Sequence, residues 1–189
     1  MAKAASTKAV AGIAARDPAL AGRAFAAKDV TIAVLPPAER ISLRAPAASV
    51  AALSKALGVV LPQTPKTAAT KDRRSALWLG PDEWLVVGEG DPAPLTQALA
   101  GLYAVDVSAS RAVIELAGAQ ARAVLAKGCG LDLHPRSFTV GRCAQTVLAR
   151  AQVIIHQVTD TPAYRLFVRA SFAAYLAEWL LDAAREHEP

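Results

Sequence analysis

The chain contains a repeat of itself, and that constrains its fold more than any other feature. A shift of 73 places Ile41-Ser-Leu43-Arg-Ala-Pro-Ala over Ile114-Glu-Leu116-Ala-Gly-Ala-Gln, Val60 over Leu133 and Pro62 over Pro135. Once the offset grows to 81, Glu83-Trp-Leu-Val-Val87 lies over Tyr164-Arg-Leu-Phe-Val168. A unit present twice has to bury its apolar face in the same way twice. Each copy reads as an alternating strand, a small-residue turn, an amphipathic helix and an extended exit ending at proline, followed by further strands and a terminal helix. A strand–helix–strand–strand–strand–helix unit used twice gives an α+β fold, antiparallel sheets backed by helices.

The helical stretches set the expected core. Val50, Leu53 and Leu57 recur at helical spacing with Ser54 and Lys55 off that face; Ala121, Val124 and Leu125 point inward, with Arg122 and Lys127 toward water. After Asp91 a helix is expected to bury Leu95, Leu99 and Leu102. The final helix is expected to start near Ser171 as N-cap, with Phe172, Leu176, Trp179, Leu180 and Ala183 as its stripe. Gln63 to Arg74 reads as a mobile surface loop. The expected organisation is a mobile tail over residues 1–30 and one body over 31–189, its repeats at about 31–104 and 105–186.

Composition narrows the function class. The net charge is +5, but residues 1–30 hold five basic and two acidic side chains, while the other 159 carry sixteen and fourteen. The excess is therefore concentrated on the tail, and a body so nearly balanced argues against nucleic acid as the partner. No apolar run approaches the ~20 residues that a bilayer crossing requires, so no membrane partner is expected. The Ala-rich start lacks the compact apolar core of a secretory signal. Cys129 and Cys143 are too few for a disulfide framework and fit the reducing cytoplasm as two buried thiols.

Chemistry-bearing motifs are scarce. Cys129, His134 and Cys143 lack the paired spacing of a structural zinc site. Gly88-Glu-Gly90 and Gly128-Cys-Gly130 are fragments that continue into neither a dinucleotide nor a phosphate loop. His156 reads as a satisfied or edge-facing strand histidine, His134 as structural, and His187 as part of a frayed end. No catalytic, cofactor-binding or metal-ligating residue is expected. Two places remain as candidate contacts. Leu77-Trp78-Leu-Gly-Pro-Asp82-Glu-Trp84-Leu85 is a hairpin-like corner, because Pro81 presets φ for a turn and Asp82 can bond its own backbone. Opposite sides of that hairpin can place one of Trp78 and Trp84 in the core and one against a partner. Asp106-Val-Ser108-Ala-Ser-Arg111 joins the copies; Asp106, Ser108 and Arg111 can meet a ligand or partner there, or serve as turn chemistry with Arg111 in a surface pair.

Several separated motifs, in order, resemble the gamma subunit of heterotetrameric sarcosine oxidase. They are Ile41-Ser-Leu-Arg44, the Leu77–Leu85 corner, Asp106-Val-Ser108 with Arg111, Gly128-Cys-Gly-Leu-Asp-Leu-His-Pro135, Gly141-Arg-Cys143 with Gln145 and Thr146, and Ser171-Phe172 with Tyr175 and Trp179. The resemblance implies a cytoplasmic bacterial complex with alpha, beta and delta subunits as partners. That complex demethylates sarcosine to glycine, producing hydrogen peroxide and passing the one-carbon unit to tetrahydrofolate as 5,10-methylenetetrahydrofolate, or releasing it as formaldehyde. It places FAD, FMN, NAD and the folate site in alpha and beta and zinc in delta, and leaves gamma non-catalytic, with no cofactor of its own. It also implies the fold of the folate-binding domain of aminomethyltransferases, so the other reading is a free-standing folate-binding protein. An assembly subunit should leave an apolar patch uncovered when alone.

Overall fold

The computed structural model describes residues 25–26, 29–89, 95, 99 and 103–187. The strands are β1 (Phe25–Ala26), β2 (Thr31–Val34), β3 (Glu39–Arg44), β4 (Ala68–Lys71), β5 (Arg74–Gly80), β6 (Glu83–Gly88), β7 (Ala104–Asp106), β8 (Arg111–Ala117), β9 (Cys143–Leu148), β10 (Ala151–Thr159) and β11 (Ala163–Arg169). The helices are α1 (Val50–Leu57), α2 (Ala121–Ala126) and α3 (Ala170–Ala184). Two compact units result: Ala38–Ser110 with Gly141–Ala144, and Arg111–Val140 with Gln145 onward and the described residues before Ala38.

The two sheets repeat one topology. One runs β4-β5-β6-β3-β7 and the other β9-β10-β11-β8-β2, with β1 added outside β2. The described pairings are antiparallel, and both central hairpins slip register just before the turn, between Trp78 and Gly80 and between Gln157 and Thr159. Such a bulge sharpens local twist. The expected class, two antiparallel sheets backed by helices, is what the chain adopts. One exchange was not foreseen. β2 opens the first copy but pairs with β8 of the second, and β7, at the junction of the copies, pairs with β3 of the first.

In the first unit Ile41, Leu43, Val50, Leu53, Leu57, Ala76, Trp84 and Val86 form a core with Leu95 and Leu99. α1 buries the three residues its periodicity selects and stops at Gly58, whose φ of 67° is the left-handed conformation that favours glycine. Ser54 accepts the Leu61 amide at 3.0 Å, fixing the extended exit. The Leu99 amide donates to Leu95 O at 3.1 Å as in a helical turn, whereas Leu102 lies outside the described residues. Residues 68–71 of the expected surface loop are instead strand β4, because Ala68 to Lys71 pair with Leu77 to Arg74 across the Asp72–Arg73 turn. Of the expected tail, Phe25–Ala26 form β1, and residues 1–24 and 27–28 lie outside the described residues.

In the second unit α2 buries Ala121, Val124 and Leu125 as read from the sequence. Lys127 is exposed, as read, and its ammonium also donates to Ala183 O and pairs with Glu186 at 2.8 Å, tying the end of α2 to the end of α3. Arg122 Nε likewise donates to the Tyr164 hydroxyl at 3.2 Å. α3 starts at Ala170 rather than at a Ser171 cap, because β11 runs straight into it and Arg169 takes the extended cap position. Its buried face is Ala173, Leu176, Ala177, Leu180, Ala183 and Ala184; Phe172 is exposed and stacks edge-on against Tyr175. Residues 185–187, read as part of a frayed end, form a 3-10 turn, and 188–189 lie outside the described residues.

Trp179 sits at the margin of that stripe, over the backbone of Gly128. A Cβ on Gly128 would lie 2.5 Å from one ring carbon of Trp179 and 2.8 Å from another. Gly128→Ala is therefore expected to destabilise the protein by about 1–3 kcal/mol through overpacking. Urea unfolding checks this, and an unchanged midpoint would show that the ring moves away freely.

Candidate functional site

The tryptophan corner is built by the β5–β6 hairpin. Trp78 and Trp84 are cross-strand partners, so they share a face rather than taking opposite sides. Trp84 is fully buried and its indole N–H donates to Pro62 O at 2.7 Å. Trp78 packs against the same core while keeping part of its surface exposed, and its indole nitrogen has no hydrogen-bond partner among the described residues. At the turn, Asp82 is exposed, its carbonyl accepting the Ala45 amide at 3.0 Å. Arg44 and Glu83 pair at 3.1 Å in the open, an interaction worth about 0–1 kcal/mol.

Residues 141–143 run antiparallel to residues 66–68, at the entry to β4. Ala68 N donates to Gly141 O at 2.7 Å and Cys143 N to Lys66 O at 3.1 Å. The Cys143 thiol donates to Thr67 O at 3.2 Å, and burial pushes its pKa up to about 11, so it stays protonated at neutral pH. Cys129 is only half-buried, contrary to the expectation of two buried thiols. It sits beside an exposed turn whose other residues satisfy one another: Asp132 accepts the His134 amide at 2.9 Å and His134 Nδ1 accepts the Arg136 amide at 3.2 Å. Among the described residues no group of three or more His, Cys, Asp or Glu is placed to hold a metal ion.

The crossing between the copies brings Asp106 and Ser108 together. Asp106 Oδ1 accepts the Ser108 hydroxyl at 2.5 Å and the Ser108 amide at 2.8 Å. Those two bonds, the hydroxyl first, hold the Asp106 carboxyl below its ordinary range. Ser108 Oγ in turn accepts the Arg40 amide at 2.9 Å, and Arg40 donates from its guanidinium to Ser108 O at 3.1 Å. Arg111 opens β8 in register with Arg169.

Arg40 is the residue that sequence reading missed. It is only 3% exposed, yet in β3 it alternates with Ile41 and Leu43 and so reads as wet. The available signal was its position: a strand paired on both sides, by β6 and β7, buries its flanks whatever the alternation says.

His156 departs from its reading too. β10 lies between β11 and β9, so it is not an edge strand; His156 is 2% exposed and its Nδ1 has no partner among the described residues. Burial, with the charge of its cross-strand neighbour Arg165 adding, lowers its pKa to about 4. The folded protein therefore holds this imidazole neutral, while the unfolded chain takes up the proton near pH 6.5. Stability from this group is complete above pH 6.5 and is lost progressively as pH falls toward 4, by up to about 3 kcal/mol. Denaturant unfolding at pH 7.5 and 5.0 is expected to show that loss in the wild type and a smaller one in His156→Gln. Identical losses would contradict the assignment.

Residues 42–186 match the sarcosine oxidase, gamma subunit family. A curated relative, the sarcosine oxidase subunit gamma of Corynebacterium sp. strain U-96, is 40% identical over 142 residues, covering 72% of this chain and 69% of its own. Among solved structures, a chain of the heterotetrameric sarcosine oxidase from Corynebacterium sp. U-96, in complex with pyrrole 2-carboxylate, matches with a TM-score of 0.80. It is 35% identical, and the match covers 97% of this chain and 96% of that one. The aminomethyltransferase T of the glycine cleavage system from Bartonella henselae shares the fold, with a TM-score of 0.60 at 17% identity over 83% of this chain and 46% of that one.

Proposed function

We propose that this chain, which belongs to the sarcosine oxidase gamma subunit family, works as the non-catalytic gamma subunit of a heterotetrameric sarcosine oxidase. The observation that carries this reading is the overlap, along nearly its whole length, with a chain of such an assembled enzyme. In this reading its partners are the alpha, beta and delta subunits, in the cytoplasm. FAD, FMN, NAD and tetrahydrofolate act in alpha and beta, and zinc is held in delta. The complex converts sarcosine to glycine with hydrogen peroxide and 5,10-methylenetetrahydrofolate, or formaldehyde, as products.

The polar groups of the two candidate clusters support a bracing role. Asp106 and Ser108 hold the crossing, and Trp84 acts from the core. Trp78, Asp82 and Arg111 retain surface with which to meet a partner. The gamma-like body spans residues 31–189 as two repeats, at about 31–104 and 105–186. What supports the duplication is that the shift by 73 superposes buried Ile41 and Leu43 of β3 on buried Ile114 and Leu116 of β8.

Affinity purification of the tagged chain from its host tests the assignment. Three co-purifying chains, flavin absorbance and sarcosine oxidation are expected in the eluate. A lone colourless chain that binds tetrahydrofolate, in cells expressing the other subunits, would instead assign it as a free-standing folate-binding protein.

A further inference from the structure

One buried pair on β10 and β11 holds a donor and an acceptor that no side chain or carbonyl satisfies among the described residues. Gln157 and Tyr164 stand directly opposite each other, so their side chains leave the same face of the sheet about 5 Å apart at Cβ. Tyr164 is fully buried and Gln157 is 3% exposed. The next pair along that face, Ile155 and Leu166, is buried and apolar, and the Phe138 ring lies 6.5 Å from that of Tyr164.

A bond that each group already makes fixes its orientation. Gln157 sits at the register slip before the β10–β11 turn, and its amide Nε2 donates to Thr159 O at 3.3 Å. That bond assigns the nitrogen end of the amide, so Oε1 faces away from the Thr159 carbonyl, and among the described residues it has no donor. The Tyr164 hydroxyl accepts Arg122 Nε, from α2, at 3.2 Å. Burial raises the pKa of that hydroxyl, so it keeps its proton at neutral pH. Among the described residues the proton has no acceptor. Tyr164 needs an acceptor where Gln157 needs a donor, and the two side chains do not bond to each other.

We propose that one buried water sits between them, accepting a hydrogen bond from the Tyr164 hydroxyl and donating one to Gln157 Oε1. Only a group that is acceptor and donor at once closes the gap, which a water does and a metal cation cannot. Two polar partners are enough to hold an internal water, and a buried polar group left unpaired is costly. The water completes a chain of donors that runs from Arg122 to Tyr164, through the water to Gln157, and on to Thr159 O. That chain ties α2 to the β10–β11 hairpin. It also accounts for an amide in a strand whose other buried residues on this face are Val153 and Ile155.

A crystal structure of the full chain, at a resolution that shows ordered water, tests this directly. A single peak about 2.7–3.0 Å from both Tyr164 Oη and Gln157 Oε1 is expected. No peak there, a direct bond between the two side chains, or density larger than a water would overturn the proposal. In solution, Tyr164→Phe and Gln157→Met each remove one end of the bridge while nearly conserving volume. Each is expected to lower the ratio of folded to unfolded chain by about tenfold in a urea titration, because the group left behind stays buried without its partner. The double variant orphans neither group, and its loss is expected to fall short of the product of the two by about tenfold. Losses that simply multiply would overturn the proposal, and the wild-type density decides if a variant does not fold.

Discussion

The first unit depends on one cross-strand row. Trp78 lies opposite Trp84, Trp84 opposite Leu43, and Leu43 opposite Ala104, so four strands contribute to a single line of side chains over α1. Strand side chains alternate with a period of two, and a slip of one residue anywhere in that row would turn Ile41, Leu43 and Trp84 away from the core together. The indole N–H of Trp84 pins the register from outside the sheet by bonding Pro62 O. Truncating such a side chain typically costs about 3–5 kcal/mol.

The corner and the crossing are extensions of that row. The Gly80-Pro81-Asp82-Glu83 turn sets which residues of β5 and β6 face each other, and Ser108 with Arg40 sets where β7 leaves β3. Leaving a buried guanidinium without its acceptors would cost far more than an exposed pair such as Arg44–Glu83 contributes. Polar groups here fix the backbone's path. That use of polarity suits the bracing role proposed for the subunit.

Much of this was legible in the sequence wherever periodicity was the whole signal. Val50, Leu53 and Leu57, and later Ala121, Val124 and Leu125, are buried as their spacing requires. Reading stopped at residues whose fate depends on a strand far away. β4 was hidden because Thr-Ala-Ala-Thr-Lys carries no alternation, and it is a strand only through its pairing with β5. Arg40 was passed over and His156 misread, because alternation along one strand does not report which strands pair with it on either side. The long side chain of Lys127 reached a carbonyl in α3 that no local spacing announces. At the candidate sites the sequence named Asp106 and Ser108 and left their third member, Arg40, unseen.

As proposed, the chain is a brace in an oxidase whose chemistry lies in other subunits. Sarcosine-dependent oxygen uptake, measured side by side on the purified chain and on the affinity-purified complex that contains it, tests this most directly. Uptake by the complex and none by the chain alone is the expected result. Oxygen uptake by the isolated chain would contradict it.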